Sequence, residues 1–221
     1  MSYILNIHTA TETAIVNLAR DGHTLHTMFN DDPKQHAAFL HSAVNELLEK
    51  EGIPIKKLDA ISITSGPGSY TGIRVGLSAA KGFCYALNIP LITFNTLEVM
   101  ALSAAVSEKD KEAFYCPMID ARRMEVYTAL YAHDLQEIEP PSAKILDENS
   151  FTKYKGLNKI IFSGSGSKKF SDLSKNDNFF FSKAGILPES LAQFSWEKFK
   201  RPEHENIVSA IPLYIKDFYT P

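Results

Sequence analysis

The chain has 221 residues, 44% of them hydrophobic, with a formal net charge of -3 and two cysteines. This composition excludes collagen, a disulfide-stapled miniprotein and a disordered chain, and the charge excludes a global basic field that would attract nucleic acid or anionic lipid. The amino terminus lacks the cationic region of a signal peptide, and no apolar run approaches the ~18 residues of a membrane span. We therefore expect a cytoplasmic protein.

The first thirty residues predict three short strands, and the third begins after the turn signal Asp21-Gly22. A helix follows, with Asp32 as the expected N-cap, Pro33 in its first turn and Gly52 as its end. The strand LDAISIT then leads through a glycine-rich turn into a second helix over Thr71–Leu87. PLITF continues as a strand and NTLEVMALSAAV as a helix. This order predicts an α/β fold with a mixed sheet.

A second, similar pattern begins near residue 114. The segment FYCPMIDARRMEVYTALYAHD can form a strand, a turn and a strand, and a shift of 112 residues places Ile7 on Ile119 and His8 on Asp120. A further helix is predicted to start near Pro188. We therefore predict two related lobes, one over residues 1–110 and a smaller one over residues 111–221.

The segment SGPGSYTGIRVGLSAAKG has the most unusual composition in the chain. Its glycines Gly66, Gly68 and Gly72 form G-x-G-x-x-x-G, which is one residue longer than the dinucleotide-binding pattern, and no G-K-[ST] follows. Two interpretations stay open. The turn either binds a nucleotide phosphate through free amides at the helix start, with Ser69 and Arg74 nearby, or it is purely structural.

Two helical stripes suggest a subunit interface. Small residues recur every fourth position of the second helix, which favours close approach either to the chain's own sheet or to a partner helix. The first helix carries an apolar stripe wider than one sheet contact needs, with His36 as a polar contact at its start. The predicted partner surface comprises His36, Phe39, Leu40, Ala43, Val44, Leu47, Gly72, Gly76 and Ala80. On this interpretation Gly76→Leu would block association and leave a folded monomer.

The glycine-rich segment, IHTATETAIVNL before it, MIDARRMEVY after it and the closing IPLYIK together resemble the bacterial TsaB (YeaZ) family of tRNA threonylcarbamoyladenosine-biosynthesis proteins. That family belongs to the Gcp-like glycoprotease superfamily. The resemblance implies an actin-like ATPase fold with two related lobes and mixed sheets, the second lobe reduced. It also implies a non-catalytic subunit that forms a homodimer alone and a heterodimer with the catalytic subunit TsaD. The ATPase TsaE would join this complex, tRNA would be reached only through it, and ATP or ADP at the TsaB–TsaD junction is left open.

Catalytic relatives of this family carry N-H-x-E-G-H, whose two histidines bind the metal. The matching segment here is Asn95-Thr96-Leu97-Glu98-Val99-Met100, so the resemblance implies no metal, no cofactor and no catalytic residue. His8 stands where the family commonly has an acidic residue, and a histidine cannot replace an oxygen ligand of magnesium. Two alternatives stay open: a small-molecule kinase of the same fold, or a self-associating module with an unrelated partner.

Asp120 and Arg122 lie at a tight turn between two predicted strands of the second lobe. They form either a salt-bridged turn or part of a cleft lining between the lobes.

Overall fold

The computed structural model describes residues 1–154, 159–201 and 204–216. The chain divides into two compact units, of which the first comprises Met1–Thr96 with Pro188–Leu213 and the second Leu97–Leu187 with residues 214–216. This differs from the predicted division near residue 110, because the helix that begins at Pro188 packs back onto the first sheet. No helix in the described part is long and apolar enough to cross a membrane.

Each unit is built on one five-stranded mixed sheet. The strands of the first unit are β1 Tyr3–His8, β2 Ala14–Arg20, β3 His23–Asn30, β4 Leu58–Gly66 and β5 Leu91–Asn95. The strands of the second unit are β6 Phe114–Asp120, β7 Glu125–Tyr131, β8 Glu137–Ile145, β9 Ile160–Ser163 and β10 Phe179–Phe181. The helices are α1 His36–Glu51, α2 Tyr70–Leu87, α3 Thr96–Glu108, α4 Ser167–Ser171 and α5 Pro188–Phe199.

The two sheets share one topology. Their strand orders are β3-β2-β1-β4-β5 and β8-β7-β6-β9-β10. The repeat predicted from the sequence is therefore present in the topology of the two sheets. His8 and Asp120, which the sequence shift superimposes, are the last residues of β1 and β6. The second unit is the reduced one, because the five-residue α4 occupies the place in the order where the first unit has the 18-residue α2.

The apolar face of the first sheet is covered by α1 and α2. Leu5 and Ile7 of β1 pack there with Leu47 of α1 and Leu77 of α2. Helix α5 contacts β1, β2 and β3 and covers the other face. The expected N-cap of α1 is wrong: Asp32 instead accepts a hydrogen bond from the amide of Lys34, and α1 begins four residues later.

A ladder of polar side chains crosses the first sheet at one level. Asn6 Nδ2 donates to Asn17 Oδ1 (2.7 Å), and Ser62 Oγ donates to Asn6 Oδ1 (2.5 Å). Asn17 Nδ2 in turn donates to Thr27 Oγ1 (2.9 Å). These residues are direct partners in the strand register, so a slip of one position would bury polar groups without acceptors.

The predicted partner surface is wrong in most of its members, because their side chains lie inside the first unit. The apolar stripe of α1 packs against the chain's own sheet, and so does the glycine–alanine stripe of α2. Only Phe39 stays partly accessible. The buried members are His36, Leu40, Ala43, Val44, Leu47, Gly72, Gly76 and Ala80.

The close approach of α2 to the sheet explains its glycines. A Cβ at Gly76 would overlap Thr9 Oγ1 and lie 3.0 Å from Ile63 Cδ1. Thr9 Oγ1 cannot move freely, because it donates to the carbonyl of Gly72 (2.7 Å). Gly76→Leu is therefore expected to disrupt the first unit, contrary to the expectation from sequence.

We predict that Gly76→Ala lowers the free energy of unfolding by about 1–3 kcal/mol through overpacking. Gly82→Ala is the matched control, because a Cβ there meets open space and alanine in a helix gains about 0.5–1 kcal/mol over glycine. Urea melts followed by the fluorescence of Trp196, the chain's single tryptophan, measure both changes. Equal midpoints for the two variants would contradict the packing described for α2.

Candidate functional site

The glycine-rich turn between β4 and α2 is packed against the chain's own backbone. A Cβ at Gly68 would overlap the carbonyl oxygen of Ala10, and one at Gly72 that of Thr9. The amide of Ser69 donates to Ala10 O (2.7 Å), and Ser69 Oγ accepts from the amide of Gly72 (3.2 Å). Two of the amides that could have bound a phosphate, those of Ser69 and Gly72, are therefore engaged within the chain, and these contacts favour the structural interpretation of the turn.

The other members of the predicted nucleotide contact also have internal roles. The carbonyl of Ser65 accepts from the amide of Leu213 (2.8 Å), and the backbone of Leu213 lies against Gly66, where a Cβ would be only 2.5 Å from its oxygen. Arg74 is exposed on α2, with its guanidinium carbon 3.9 Å from the centroid of the Tyr70 ring. Gly66, Gly68 and Ser69 are thus part of the fold, whereas Arg74 lies on the outer surface of its helix.

His8 is fully buried at the end of β1. Its Nδ1 lies 2.7 Å from Thr64 Oγ1 and its Nε2 lies 2.7 Å from Thr11 Oγ1. Burial, with a smaller contribution from the nearby His36, lowers the pKa of His8 to about 3. The ring is therefore neutral at physiological pH and is enclosed by hydroxyl groups. It offers neither the negative charge nor the oxygen ligand that hydrated magnesium requires.

His36 links the start of α1 to two other elements. Its Nε2 lies 3.3 Å from the carbonyl oxygen of Thr11, and its Nδ1 lies 3.3 Å from Asn30 Oδ1 at the end of β3. The interface role predicted for His36 is wrong, because this side chain is buried and is held by the first unit itself.

The segment that matches the metal-binding motif of catalytic relatives has the wrong donors. Thr96 is buried, and its Oγ1 has no hydrogen-bond partner within the described residues. Met100 packs with Leu97 and Ala101 in the apolar cluster of the second unit. A hydroxyl and a thioether do not fit an iron or zinc site that needs two imidazoles. Among the residues described, no group of three or more histidine, cysteine, aspartate or glutamate side chains could hold a metal.

Asp120 and Arg122 lie in a hairpin turn between β6 and β7 that is fixed by hydrogen bonds. Asp120 Oδ1 accepts from Lys169 Nζ (2.6 Å) and from the amide of Arg122 (2.6 Å). Partial burial acts to raise the pKa of Asp120, but these two donors hold it below its usual value. The salt-bridged turn is present, and its cation is Lys169, a partner that sequence spacing could not identify. Arg122 and its neighbour Arg123 are exposed, at φ values of 70° and 48°.

Comparison with known proteins fits this architecture. Residues 30–211 match the family model described as TsaD: tRNA N6-adenosine threonylcarbamoyltransferase. The chain belongs to this family. The tRNA threonylcarbamoyladenosine biosynthesis protein TsaB of Escherichia coli is 28% identical over 97% of this chain and 94% of its own length. The resemblance to the TsaB (YeaZ) branch found in the sequence is thereby confirmed.

Solved structures support the fold. YeaZ from Pseudomonas aeruginosa superimposes with a TM-score of 0.83 at 24% identity, covering 97% of this chain and all of that one. The ethanolamine utilization protein EutJ from Carboxydothermus hydrogenoformans covers 88% of the chain and 90% of its own length, with a TM-score of 0.52 at 9% identity. The predicted actin-like ATPase fold is confirmed.

The exposed residues on the outer sides of α1 and α2 are ones that the sequence analysis did not single out. Helices α1 and α2 lie side by side, with the rings of His41 and Phe83 5.7 Å apart. Seven exposed, uncharged residues of these two helices define a surface that we call the outer face. It comprises Ala38, His41, Ser42, Ser78, Gly82, Tyr85 and Ala86. The sequence does carry a signal for these residues. The apolar stripe marks the side of each helix that faces the core, so the exposed residues lie on the opposite side.

His8 should make stability pH-dependent. A neutral imidazole is retained in the folded state down to about pH 3, whereas the unfolded chain protonates near 6.5. The unfolded state thus binds more protons in this window. Stability is full above pH 6.5 and falls toward pH 3, by about 1.4 kcal/mol per unit from this group.

We predict that the free energy of unfolding falls less steeply between pH 6 and pH 4 in His8→Gln than in the parent chain. Denaturant melts at several pH values measure the slope, with the exposed His41→Gln as control. Parallel pH profiles for the parent chain and His8→Gln would rule out a buried neutral His8.

Proposed function

We propose that this chain is a non-catalytic, cytoplasmic subunit of the machinery that forms threonylcarbamoyladenosine at position 37 of tRNA. In this role it binds the catalytic subunit TsaD and keeps it active, together with the ATPase TsaE. The name of the Escherichia coli relative supports the pathway, and membership of the TsaD family supports a related partner.

The non-catalytic part of the proposal rests on the two side chains at the positions of the metal-binding histidines. Thr96 and Met100 stand where catalytic relatives have imidazoles, and both side chains are buried. The chemistry of metal-bound substrate therefore belongs to the partner. This chain contributes a folded surface that selects and positions that partner.

The outer face of α1 and α2 is the surface we assign to the partner. Because TsaD belongs to the same family, its corresponding helices would present a similar face. The contact would then be pseudo-symmetric, like the isologous contact of a homodimer. A homodimer of this chain would use the same surface and would compete with TsaD. Both subunits would contribute residues to a site for ATP or ADP at the junction.

The kinase alternative is disfavoured by His8. An actin-like kinase needs an acidic group near this strand end to hold hydrated magnesium. Here both ring nitrogens are engaged by Thr11 and Thr64, and the side chain is inaccessible.

Reconstitution tests the proposal. We expect modified tRNA from a mixture of this chain, TsaD, TsaE and the threonylcarbamoyl-AMP synthase, and none when either this chain or TsaD is omitted. Nucleoside analysis of the digested tRNA by mass spectrometry is the measurement. Modified tRNA from this chain and the synthase alone would overturn the non-catalytic assignment, and full activity without this chain would overturn the requirement for it.

Gly82 tests the assigned surface. A Cβ at Gly82 meets open space, so Gly82→Leu should leave the melting temperature unchanged or higher. On a close helix contact the added bulk costs about 1–3 kcal/mol, which weakens TsaD binding about 5- to 150-fold. Calorimetric titration measures the affinity. Gly185→Leu is the matched control, because Gly185 is also open but lies in the second unit. Unchanged affinity of the Gly82 variant would refute the helix assignment.

A further inference from the structure

The segment after α5 runs along α2 as an ordered strap, which we define as residues 207–213. Lys81 of α2 fixes it, because Lys81 Nζ donates to the carbonyls of Val208 (3.3 Å) and Ala210 (2.8 Å). The side chain of Ala210 is buried in the core of the first unit. The strap ends where the amide of Leu213 donates to Ser65 O.

The strap turns two of its aliphatic side chains to solvent. Val208 is 89% exposed and Ile211 is 75% exposed, although the backbone that carries them is held at both ends. Tyr85, which is 84% exposed, lies one helical turn beyond Lys81 on α2. In the described part of the chain, the four most exposed large hydrophobic side chains after Met1 are Val208, Tyr85, Ile211 and Ile145. Two of these four belong to the strap that Lys81 ties to α2, and a third, Tyr85, belongs to the outer face on the same helix.

The outer face alone is small for a stable interface. A generous outline of it takes in all 18 residues of α2, including the exposed Arg74, and the first half of α1, since Glu46, Glu49 and Lys50 occupy the exposed second half of α1. At 1.5 Å per residue and a helix width of ~10 Å, this footprint is about 400 Å². A standard interface buries about 800 Å² on each partner. Additional surface next to α2 is needed.

We propose that the strap is part of the docking surface for the TsaD subunit, with Val208 and Ile211 as its apolar anchors. The inference rests on the proposed function, because it assumes that TsaD covers the outer face. The strap is hydrogen-bonded to α2, the helix that carries part of that face, has no charge at its exposed positions and is fixed at Lys81 and Ser65 before binding. Rigid presentation lowers the entropy that is lost when these side chains are buried. A clustered exposed apolar patch is typical of a protein-binding surface.

The test compares dissociation constants for TsaD binding. Val208→Ser combined with Ile211→Ser should weaken binding about 10- to 100-fold, because two aliphatic anchors lose their burial. Ile145→Ser is the matched control. Ile145 is 73% exposed, but it lies in β8 of the second unit, so its substitution should leave the affinity unchanged. Trp196 fluorescence melts verify that the strap variant keeps the first unit folded, and circular dichroism melts verify the fold of Ile145→Ser.

Hydrogen–deuterium exchange provides a second readout without substitutions. Amides of residues 207–213 should exchange more slowly when TsaD is added to the parent chain. If TsaD binds and Gly82→Leu weakens binding while the double strap variant binds as tightly as the parent, the strap proposal is overturned and the helix interface stands. An equal loss with Ile145→Ser would overturn it as well. If the parent chain does not bind TsaD, both the proposed function and this inference fail.

Discussion

The structure of the first unit depends on the close contact between the end of β1 and the start of α2. Thr9 and Ala10 lie so near the helix that no side chain fits at Gly68, Gly72 or Gly76. The contact is held by hydrogen bonds in both directions: Thr9 Oγ1 donates to the helix, and the amide of Ser69 donates back to Ala10. The turn is therefore packed against the chain's own backbone, and its glycines are required by that packing.

The sequence predicted the local elements well, because their signals are local. The strands β1 and β2, the turn at Asp21-Gly22 and the end of α1 at Gly52 need only neighbouring residues, and the structure has all of them. The repeat was also predictable, since His8 and Asp120 each end a first strand. By contrast, the return of residues 188–213 to the first unit depends on packing between distant segments. No short-range sequence pattern predicts this return.

The candidate site shows the same limit. An apolar stripe such as Leu40, Val44 and Leu47 indicates that a helix face is buried, but not which surface buries it. Here the sheet of the same chain does so completely. Similarly, Asp120 was expected to pair within its own turn, whereas its cation, Lys169, comes from α4. Residue chemistry could therefore be predicted from the sequence, but the partner of each residue could not.

The division of the first unit into two stretches of sequence has a consequence for biosynthesis. The second unit is nearly continuous along the chain, and its sheet can close as soon as β10 has left the ribosome. The first sheet, although synthesised earlier, has one face without cover until α5 emerges. During translation this half-covered sheet, with the Asn6–Asn17 ladder exposed to water, would be the aggregation-prone species that a chaperone protects. Removal of the last 34 residues would make that transient state permanent, since it deletes α5 and the strap together.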